Sequence, residues 1–171
     1  MNARVRDNIR GLSNPPRLAI SGLSKISGIP DDGTYKPLKW DSADQYGGWT
    51  TNDNESFTVP TSGVYLASAS VTALVPADIS KGPAFRLVCV NQQVQGGERE
   101  WLRSYNLALV PSTYLTCSLR GPIFAVQGDR LTLRANTPAR TGAWEISSGS
   151  RPSTQLNAAS FTLVAPGATT L

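Results

Sequence analysis

Four pairs of closely spaced carboxylates are the residues of this sequence best suited to catalysis. They are Asp31 with Asp32, Asp41 with Asp44, Asp53 with Glu55, and Glu98 with Glu100. Two carboxylates that flank a glycosidic bond can hydrolyse it, one as the acid and the other as the base or nucleophile. Adjacent acids in turn-rich segments usually serve as solvated turn residues, and we therefore expect that the protein is not an enzyme.

Other residue types that carry catalysis are scarce. The sequence has no histidine, which removes the commonest general base and the commonest transition-metal ligand. Its serines have no histidine to activate them, and no glycine-rich phosphate loop is present. Cys89 and Cys117 lie far apart in apolar runs and fit no zinc-ligand spacing. The sequence is compatible with two buried free thiols and also with a disulfide across neighbouring strands.

Two acidic stretches offer oxygen ligands to a hard cation such as calcium. They are "DNE" at residues 53–55 and "DSAD" at residues 41–44. Neither stretch has the regular ligand spacing of a dedicated calcium loop. We therefore expect no cofactor, with calcium as the alternative at these two places.

Tryptophan is the other residue type that suggests recognition. Trp40, Trp101 and Trp144 stand beside charged residues, in "KWD", "REWLR" and "AWE". Exposed aromatic rings can stack on sugar rings or anchor a protein interface, and we name Trp49, Trp101 and Trp144 as candidates for surface recognition. The alternative is that these rings fill the ends of the domain, because large aromatic side chains are usually largely buried.

Short β-strands must position these residues. Segments rich in Val, Leu, Thr, Phe and Tyr, most of them bounded by Pro, Gly, Asn or Asp, occur at residues 17–23, 57–73, 84–91, 99–110, 112–126, 129–136 and 157–165. The clearest alternation places Leu131, Leu133 and Ala135 on one face of a half-buried strand. Residues 38–49 predict a short strand followed by an irregular loop. Residues 137–155 predict a long loop, partly ordered around Trp144.

The pattern of segments predicts an all-β fold. No strand alternates with a long helical segment, which argues against βαβ units. Many short strands joined by turns are typical of a closed antiparallel sandwich or barrel of the jelly-roll or Greek-key type, here with about 8–10 strands. Charged residues are only 16% of the chain, below the roughly 25% of soluble domains. The surface is therefore either polar and uncharged or partly buried in an assembly.

Five segments resemble the trimeric jelly-roll family that includes tumour necrosis factor and the globular head of complement C1q. The stretch "FTVPTSGVYLASASV" (residues 57–71) is similar to the family signature, with an aromatic residue, a proline, and then Gly-Val-Tyr leading into an alternating strand. Similar segments follow in the family's order, and one precedes the signature. They are "PLKWDSADQY" (37–46), "FRLVCVNQQ" (85–93), "LRGPIFAVQGDRLTLRA" (119–135) and "SFTLVAP" (160–166).

The resemblance covers roughly residues 16–166 and implies one jelly-roll domain over residues 16–171 that assembles as a homotrimer. The sequence departs from the complement heads at Ala158-Ala159-Ser160, before the aromatic Phe161, and it has no collagen-like stalk. No apolar segment resembles a secretory signal. These departures favour a bacteriophage branch of the family over a secreted cytokine or complement protein.

The strand at residues 63–73 has two different faces. Tyr65, Ala67, Ala69, Val71 and Ala73 form an apolar face suited to the core. The other face mixes apolar and small polar residues, as expected beside a tight subunit contact. The candidates for the trimer interface are Val64, Leu66, Ser68 and Ser70. An ordinary solvent-facing surface is the alternative.

Residues 1–15 form a basic N-terminal arm, which is either a frayed terminus or a tether. The candidates for anchoring it to a particle are Arg4, Arg6, Ile9 and Arg10. The formal net charge is only +4 and the other basic residues are scattered, so nucleic acid is not an expected partner. No apolar run is long enough to insert into a membrane.

Together these features predict a virion structural protein, made in the host cytoplasm, that decorates or stabilises a phage capsid or forms part of a fibre. Its expected partners are its own copies and capsid or tail proteins. The alternative function is a minor tail or receptor-binding protein, or a carbohydrate-binding module, that contacts host-surface glycans.

Overall fold

The computed structural model describes residues 13–23, 26–29, 34–51, 53–78, 84–137, 144–146 and 157–167, which form two antiparallel sheets. The strands are β1 (Arg17–Leu23), β2 (Ile26–Ile29), β3 (Lys36–Pro37), β4 (Trp40–Tyr46), β5 (Ser56–Thr58), β6 (Gly63–Leu74), β7 (Ala84–Gln92), β8 (Glu98–Leu107), β9 (Tyr114–Ala125), β10 (Arg130–Asn136), β11 (Trp144–Ile146) and β12 (Ala158–Pro166). No helix within these ranges has the length and hydrophobicity needed to cross a membrane.

The larger sheet, sheet A, is built around β6. Strand β9 pairs with β6 along its whole length, and β12 and β11 share the opposite edge of β6. Beyond β12 the sheet continues through β1 to β4, and beyond β11 it continues to β2. The main order is therefore β4-β1-β12-β6-β9.

The smaller sheet, sheet B, is built around β10 and β7. Strand β7 pairs with β10 on one edge and with β8 on the other. The short strands β3 and β5 share the remaining edge of β10. The two sheets enclose one apolar core, and β8 of sheet B packs beside β9 of sheet A. The all-β jelly-roll prediction is confirmed.

The alternation of β6 is what the sequence predicts. Its core-facing side chains, from Tyr65 to Ala73, are at most 3% exposed, whereas Val64, Leu66, Ser68 and Ser70 are partly buried. Alanine at three of the five inward positions leaves room for large rings from the neighbouring elements. Phe57, Phe85 and Phe161 are among the rings that fill this core.

Residues 59–62 form the corner between β5 and β6, as the proline and glycine predict. The Tyr65 hydroxyl donates to the Thr61 carbonyl at 2.6 Å. The backbone N–H of Val59 donates to the Asp129 carbonyl at 2.8 Å, and the backbone N–H of Gln127 donates to the Ser62 hydroxyl at 2.9 Å. The corner is thereby tied to the β9–β10 turn, where Gly128 adopts a φ of 91°.

Two sequence predictions need correction. Residues 40–46 form a seven-residue strand rather than a short strand and loop, because β4 pairs with β1 from Tyr46 to Trp40. The sequence pattern does not predict this strand in full, because β4 is an edge strand that pairs on one side only and carries exposed polar residues. The predicted loop at residues 137–155 contains strand β11, whose Trp144 and Ile146 are fully buried.

Both cysteines are buried free thiols. Burial raises the pKa of Cys89 to about 12, and burial likewise raises the pKa of Cys117. Both thiols therefore stay protonated at neutral pH, which makes them inert packing residues.

Gly63, the first residue of β6, allows the closest backbone approach in sheet A. A Cβ at this position would lie 2.4 Å from the Ala165 carbonyl oxygen and 2.7 Å from Leu163 Cδ1. We expect Gly63→Ala to lower the free energy of unfolding by about 1–3 kcal/mol, because a methyl group here overpacks against backbone. Urea denaturation followed by circular dichroism measures this change.

Gly167 is the matched control for this substitution. It is exposed, lies four residues after Leu163, and has open space where a Cβ would stand. We expect Gly167→Ala to change the free energy of unfolding by less than about 0.5 kcal/mol. Equal stability of both variants would contradict the close β6–β12 packing.

Candidate functional site

The surface of sheet A that points away from the core, called here the outer face, carries all four predicted interface residues. Val64, Leu66, Ser68 and Ser70 alternate with the buried residues of β6 and are partly buried themselves. The structure therefore brings them together on one surface. Their role in an interface stays a prediction.

Small side chains dominate the middle of the outer face. In one row across the sheet, Asp44, Ala19, Ser160, Ser68 and Arg120 are register neighbours. The next row consists of Ser42, Ser21, Ala158, Ser70 and Ser118. The residues of the two rows other than Arg120 and Ser118 line a shallow depression of about 430 Å³. A flat surface of this kind lets another backbone approach closely.

The edges of the outer face carry opposite charges. Asp44 lies on the edge strand β4 and Arg120 on the opposite edge strand β9, in the same row, and both are exposed. At the Gly63 end of the face, Leu66 stands beside Pro122 and Val64 stands beside Phe124. The face therefore has a small-residue centre, an apolar end and a charge at each edge.

Two of the three tryptophans predicted for surface recognition are part of the core. Trp49 is 3% exposed and packs edge-on against Tyr65, with ring centroids 5.4 Å apart. Trp144 is fully buried against Phe85, with centroids 5.7 Å apart. The prediction that these two rings are available to a ligand is wrong, because both fill the space between the sheets.

Trp101 is only partly buried, and a β-bulge determines its position. Cys89 pairs with Leu102 and Val90 pairs with Glu100, so Trp101 is the extra residue on β8. A bulge of this kind re-aims side chains. The Trp101 ring packs against Phe124 of β9 with centroids 5.3 Å apart, and the Arg99 guanidinium lies 4.1 Å from its centroid.

These three residues belong to a cleft at one end of the sandwich, called here the end cleft. Its volume is about 400 Å³, and it lies between the β7–β8 turn and the β9–β10 turn. Amide side chains, among them Gln95 and Gln127, line it together with the aromatic pair. The indole Nε1 of Trp101 is buried and has no hydrogen-bond partner among the described residues.

Asp129 holds the two turns of the end cleft together. Its carboxylate accepts hydrogen bonds from the backbone N–H of Val94 at 3.0 Å, the backbone N–H of Val126 at 2.9 Å and Nδ2 of Asn91 at 2.8 Å. The side chain is 2% exposed. Three donors satisfy the buried charge, so Asp129 is a structural residue that makes the cleft walls rigid.

Two of the carboxylates considered for catalysis, Asp53 and Glu98, accept hydrogen bonds that lower their pKa. The Asp53 carboxylate accepts the backbone N–H groups of Glu55 and Ser56, which hold its pKa below the usual value. The hydrogen bond from Arg134 does the same for Glu98. A glycosidase acid needs a raised pKa. These two lowered values therefore argue against that role.

Several predicted residues are not brought into any site. Asp31 and Asp32, and the anchoring candidates Arg4, Arg6, Ile9 and Arg10, lie outside the described residues. Within the described ranges, no three acidic or cysteine side chains come together in a group that could hold a metal. In the acidic stretch at residues 53–55, the Asp53 carboxylate accepts hydrogen bonds from backbone N–H groups of the same turn.

The end cleft is the feature that sequence reasoning missed. Its walls come from residues 91–95, 99–101 and 124–129, which only the pairing of strands brings together. The motif "REWLR" does place Arg99 and Trp101 two residues apart on a strand. That spacing is a weak signal, because it does not reveal the bulge.

Comparisons with known proteins identify the fold. No protein-family model and no curated protein matches this chain. The structure of murine APRIL at pH 8.0 is similar, with a TM-score of 0.60, 18% identity, and coverage of 87% of this chain and 98% of that chain. The structure of Eiger TNF from S. frugiperda is also similar, with a TM-score of 0.61, 16% identity, and coverage of 90% and 96%.

At this level of identity the likeness concerns the fold alone. Both solved proteins superpose over nearly their whole length, which matches the single sandwich described above. The chain therefore has a jelly-roll fold of the tumour necrosis factor type.

Proposed function

We propose that this chain is a non-enzymatic structural protein of a bacteriophage particle, which assembles as a homotrimeric knob through the outer face of sheet A. The knob decorates or stabilises the capsid or forms part of a fibre. The observation that carries the proposal is the composition of the outer face. Rows of serine and alanine cross five strands there, with no large side chain in the middle.

Small residues favour assembly because two subunits can approach closely while their side chains lose little conformational entropy. Serine and alanine have few rotamers to lose when a neighbour covers them. The apolar end of the face, at Val64 and Leu66, adds area whose removal from water stabilises the complex. An interface needs such an apolar part beside its polar part.

The charges at the two edges of the outer face support a ring rather than a two-fold dimer. A closed ring joins two different patches of each subunit, whereas a two-fold dimer joins a patch to itself. In a ring, the β9 edge with Arg120 meets the β4 edge of the next subunit, which carries Asp44. Three such contacts close a threefold ring with the opposite charges facing each other.

The non-enzymatic part of the proposal rests on the state of the ionisable groups. Glu98 and Glu100 form ion pairs with Arg134 and Arg103 on the surface of sheet B. Asp129 is buried with three donors. Asp129 therefore serves the fold, and Glu98 and Glu100 are engaged in surface ion pairs with arginines. Hydrolysis of a glycosidic bond instead requires two carboxylates that flank the bond.

The particle part of the proposal rests on the N-terminal arm. Arg4, Arg6 and Arg10 give residues 1–15 a positive charge that suits bidentate contacts with acidic groups of a capsid or tail protein. Ile9 adds an apolar anchor. In this arrangement the trimer projects from the particle and the arm binds to it.

A charge placed in the centre of the outer face tests the trimer. We expect the unmodified chain to show three times the mass of one chain in size-exclusion chromatography with light scattering. Ser70→Arg buries an unpaired charge, which costs about 3 kcal/mol or more. The dissociation constant should therefore rise by about a hundredfold, and the variant should elute as a monomer at micromolar concentration.

Gln92→Arg is the matched control, because Gln92 is an exposed residue of β7 on sheet B. This variant should remain a trimer. Circular dichroism should show the same β content for both variants. A monomeric unmodified chain, or a Ser70→Arg variant that stays trimeric, contradicts assembly through the outer face.

Particle association is tested by quantitative mass spectrometry of gradient-purified phage from cells that carry the gene. We expect a fixed copy number per particle that is a multiple of three, and loss of the protein from particles when residues 1–15 are deleted. The deleted form should still be a trimer, because the jelly roll begins after the arm. Recovery of the intact protein only in the particle-free fraction would contradict the role.

A further inference from the structure

We propose that the end cleft is a binding site for a sugar that carries a carboxylate, such as a hexuronic acid residue of a glycan. The cleft lies within one chain and apart from the centre of the outer face, so its ligand binding does not depend on the trimer. The end cleft brings together an arginine with no acidic partner among the described residues, a set of amide side chains and an aromatic wall.

Arg99 provides the site for the carboxylate. Its neighbours on the surface of sheet B are neutralised, because Arg103 pairs with Glu100 and Arg134 pairs with Glu98. No acidic side chain of the described residues pairs with Arg99. Its guanidinium carbon lies 4.1 Å from the Trp101 ring centroid, a cation–π interaction that holds the group over the indole. The edges of the guanidinium keep donors for a bidentate contact with a carboxylate.

The amide side chains suit hydroxyl groups. Gln93, Gln95 and Gln127 line the cleft, and each carries both donors and an acceptor. A sugar hydroxyl also donates and accepts, so amides can satisfy it in either direction. The same side chains would leave half of their hydrogen bonds unmade against a purely apolar ligand, which argues against a lipid.

The end cleft also has apolar surface and a size that suit a sugar ring. Phe124 forms part of the wall, and Val94 and Val126 stand exposed at 64% and 43% beside the opening. Such surface suits the C–H face of a pyranose ring. The volume of about 400 Å³ lies within the range of roughly 300–1,000 Å³ for small-molecule sites.

Buried polar atoms behind the wall are also unsatisfied. The indole Nε1 of Trp101 and Oδ1 of Asn91 have no partner among the described residues, and Asn91 is only 1% exposed. Buried polar atoms without partners are rare in folded proteins. The indole Nε1 atoms of Trp40, Trp49 and Trp144 in the core share this state, so it does not by itself mark the cleft as a binding site.

The charge of the cleft distinguishes a carboxylate from a phosphate. Arg99 is the single cation among the described lining residues, and Asp129 adds a negative charge to the floor. A phosphate group carries up to two charges and is usually held by several cations or a row of backbone N–H groups. One arginine beside polar amides matches one carboxylate.

The indole N–H signal of Trp101 in nuclear magnetic resonance spectra tests the site. The ¹⁵N-labelled full chain has four indole signals. The signal that disappears in Trp101→Phe belongs to Trp101. Arg99→Gln should shift the same signal, which assigns it independently. The probes are sodium glucuronate, glucose, sodium acetate and sodium phosphate at equal ionic strength. We expect a saturable shift with glucuronate, and binding by glucose, acetate and phosphate that is about tenfold or more weaker.

Two variants separate specific binding from general attraction of anions. Arg99→Gln should remove the preference for glucuronate over glucose. Arg103→Gln loses the same charge on the same strand, but Arg103 faces Glu100 and should leave glucuronate binding unchanged. No shift with millimolar glucuronate overturns the proposal. An equal response to acetate or phosphate, or equal losses in both variants, also overturns it.

Discussion

The double pairing of β6 is the constraint on which the rest of this structure depends. Its twelve residues pair with β9 on one edge and with β12 and β11 on the other. Gly63 and the alanines at positions 67, 69 and 73 permit this because they take little space beside the large rings of the core. A larger residue on the inner face would push the sheets apart. The centre of the outer face carries small side chains, since Ser70 lies between Ala158 of β12 and Ser118 of β9.

The two proposed sites follow from this central strand in different ways. The outer face is regular sheet, in which paired residues from Asp44 to Arg120 stand in rows. It therefore presents a broad contact surface rather than a deep pocket. The end cleft arises where regularity ends, at the bulge of Trp101 and the turn held by Asp129. Under the two proposals, the outer face serves assembly and the end cleft serves recognition. Neither site needs chemistry beyond hydrogen bonds, charge and burial.

Much of the fold is predictable because period-two alternation decides which residues are buried in β6 and β10. The chemistry of the sites is harder to predict. The charged residue Glu145 beside Trp144 suggests an exposed ring, yet Trp144 is fully buried, since burial depends on which sheet covers the ring and not on adjacent residues. The sequence pattern of β4 resembles that of a loop, because an edge strand with one packed side carries mostly polar residues. The end cleft could not be predicted, because its walls come from three separate segments.

Distances between copies of the chain test the central claim, assembly through the outer face, most directly. A nitroxide on Gln92→Cys would report them by double electron–electron resonance, since both natural thiols are buried and Gln92 lies on sheet B. In a threefold ring, the three labels should give one narrow distance distribution with the modulation depth of three coupled spins. A signal of background alone, or the depth of two spins, would contradict the threefold ring.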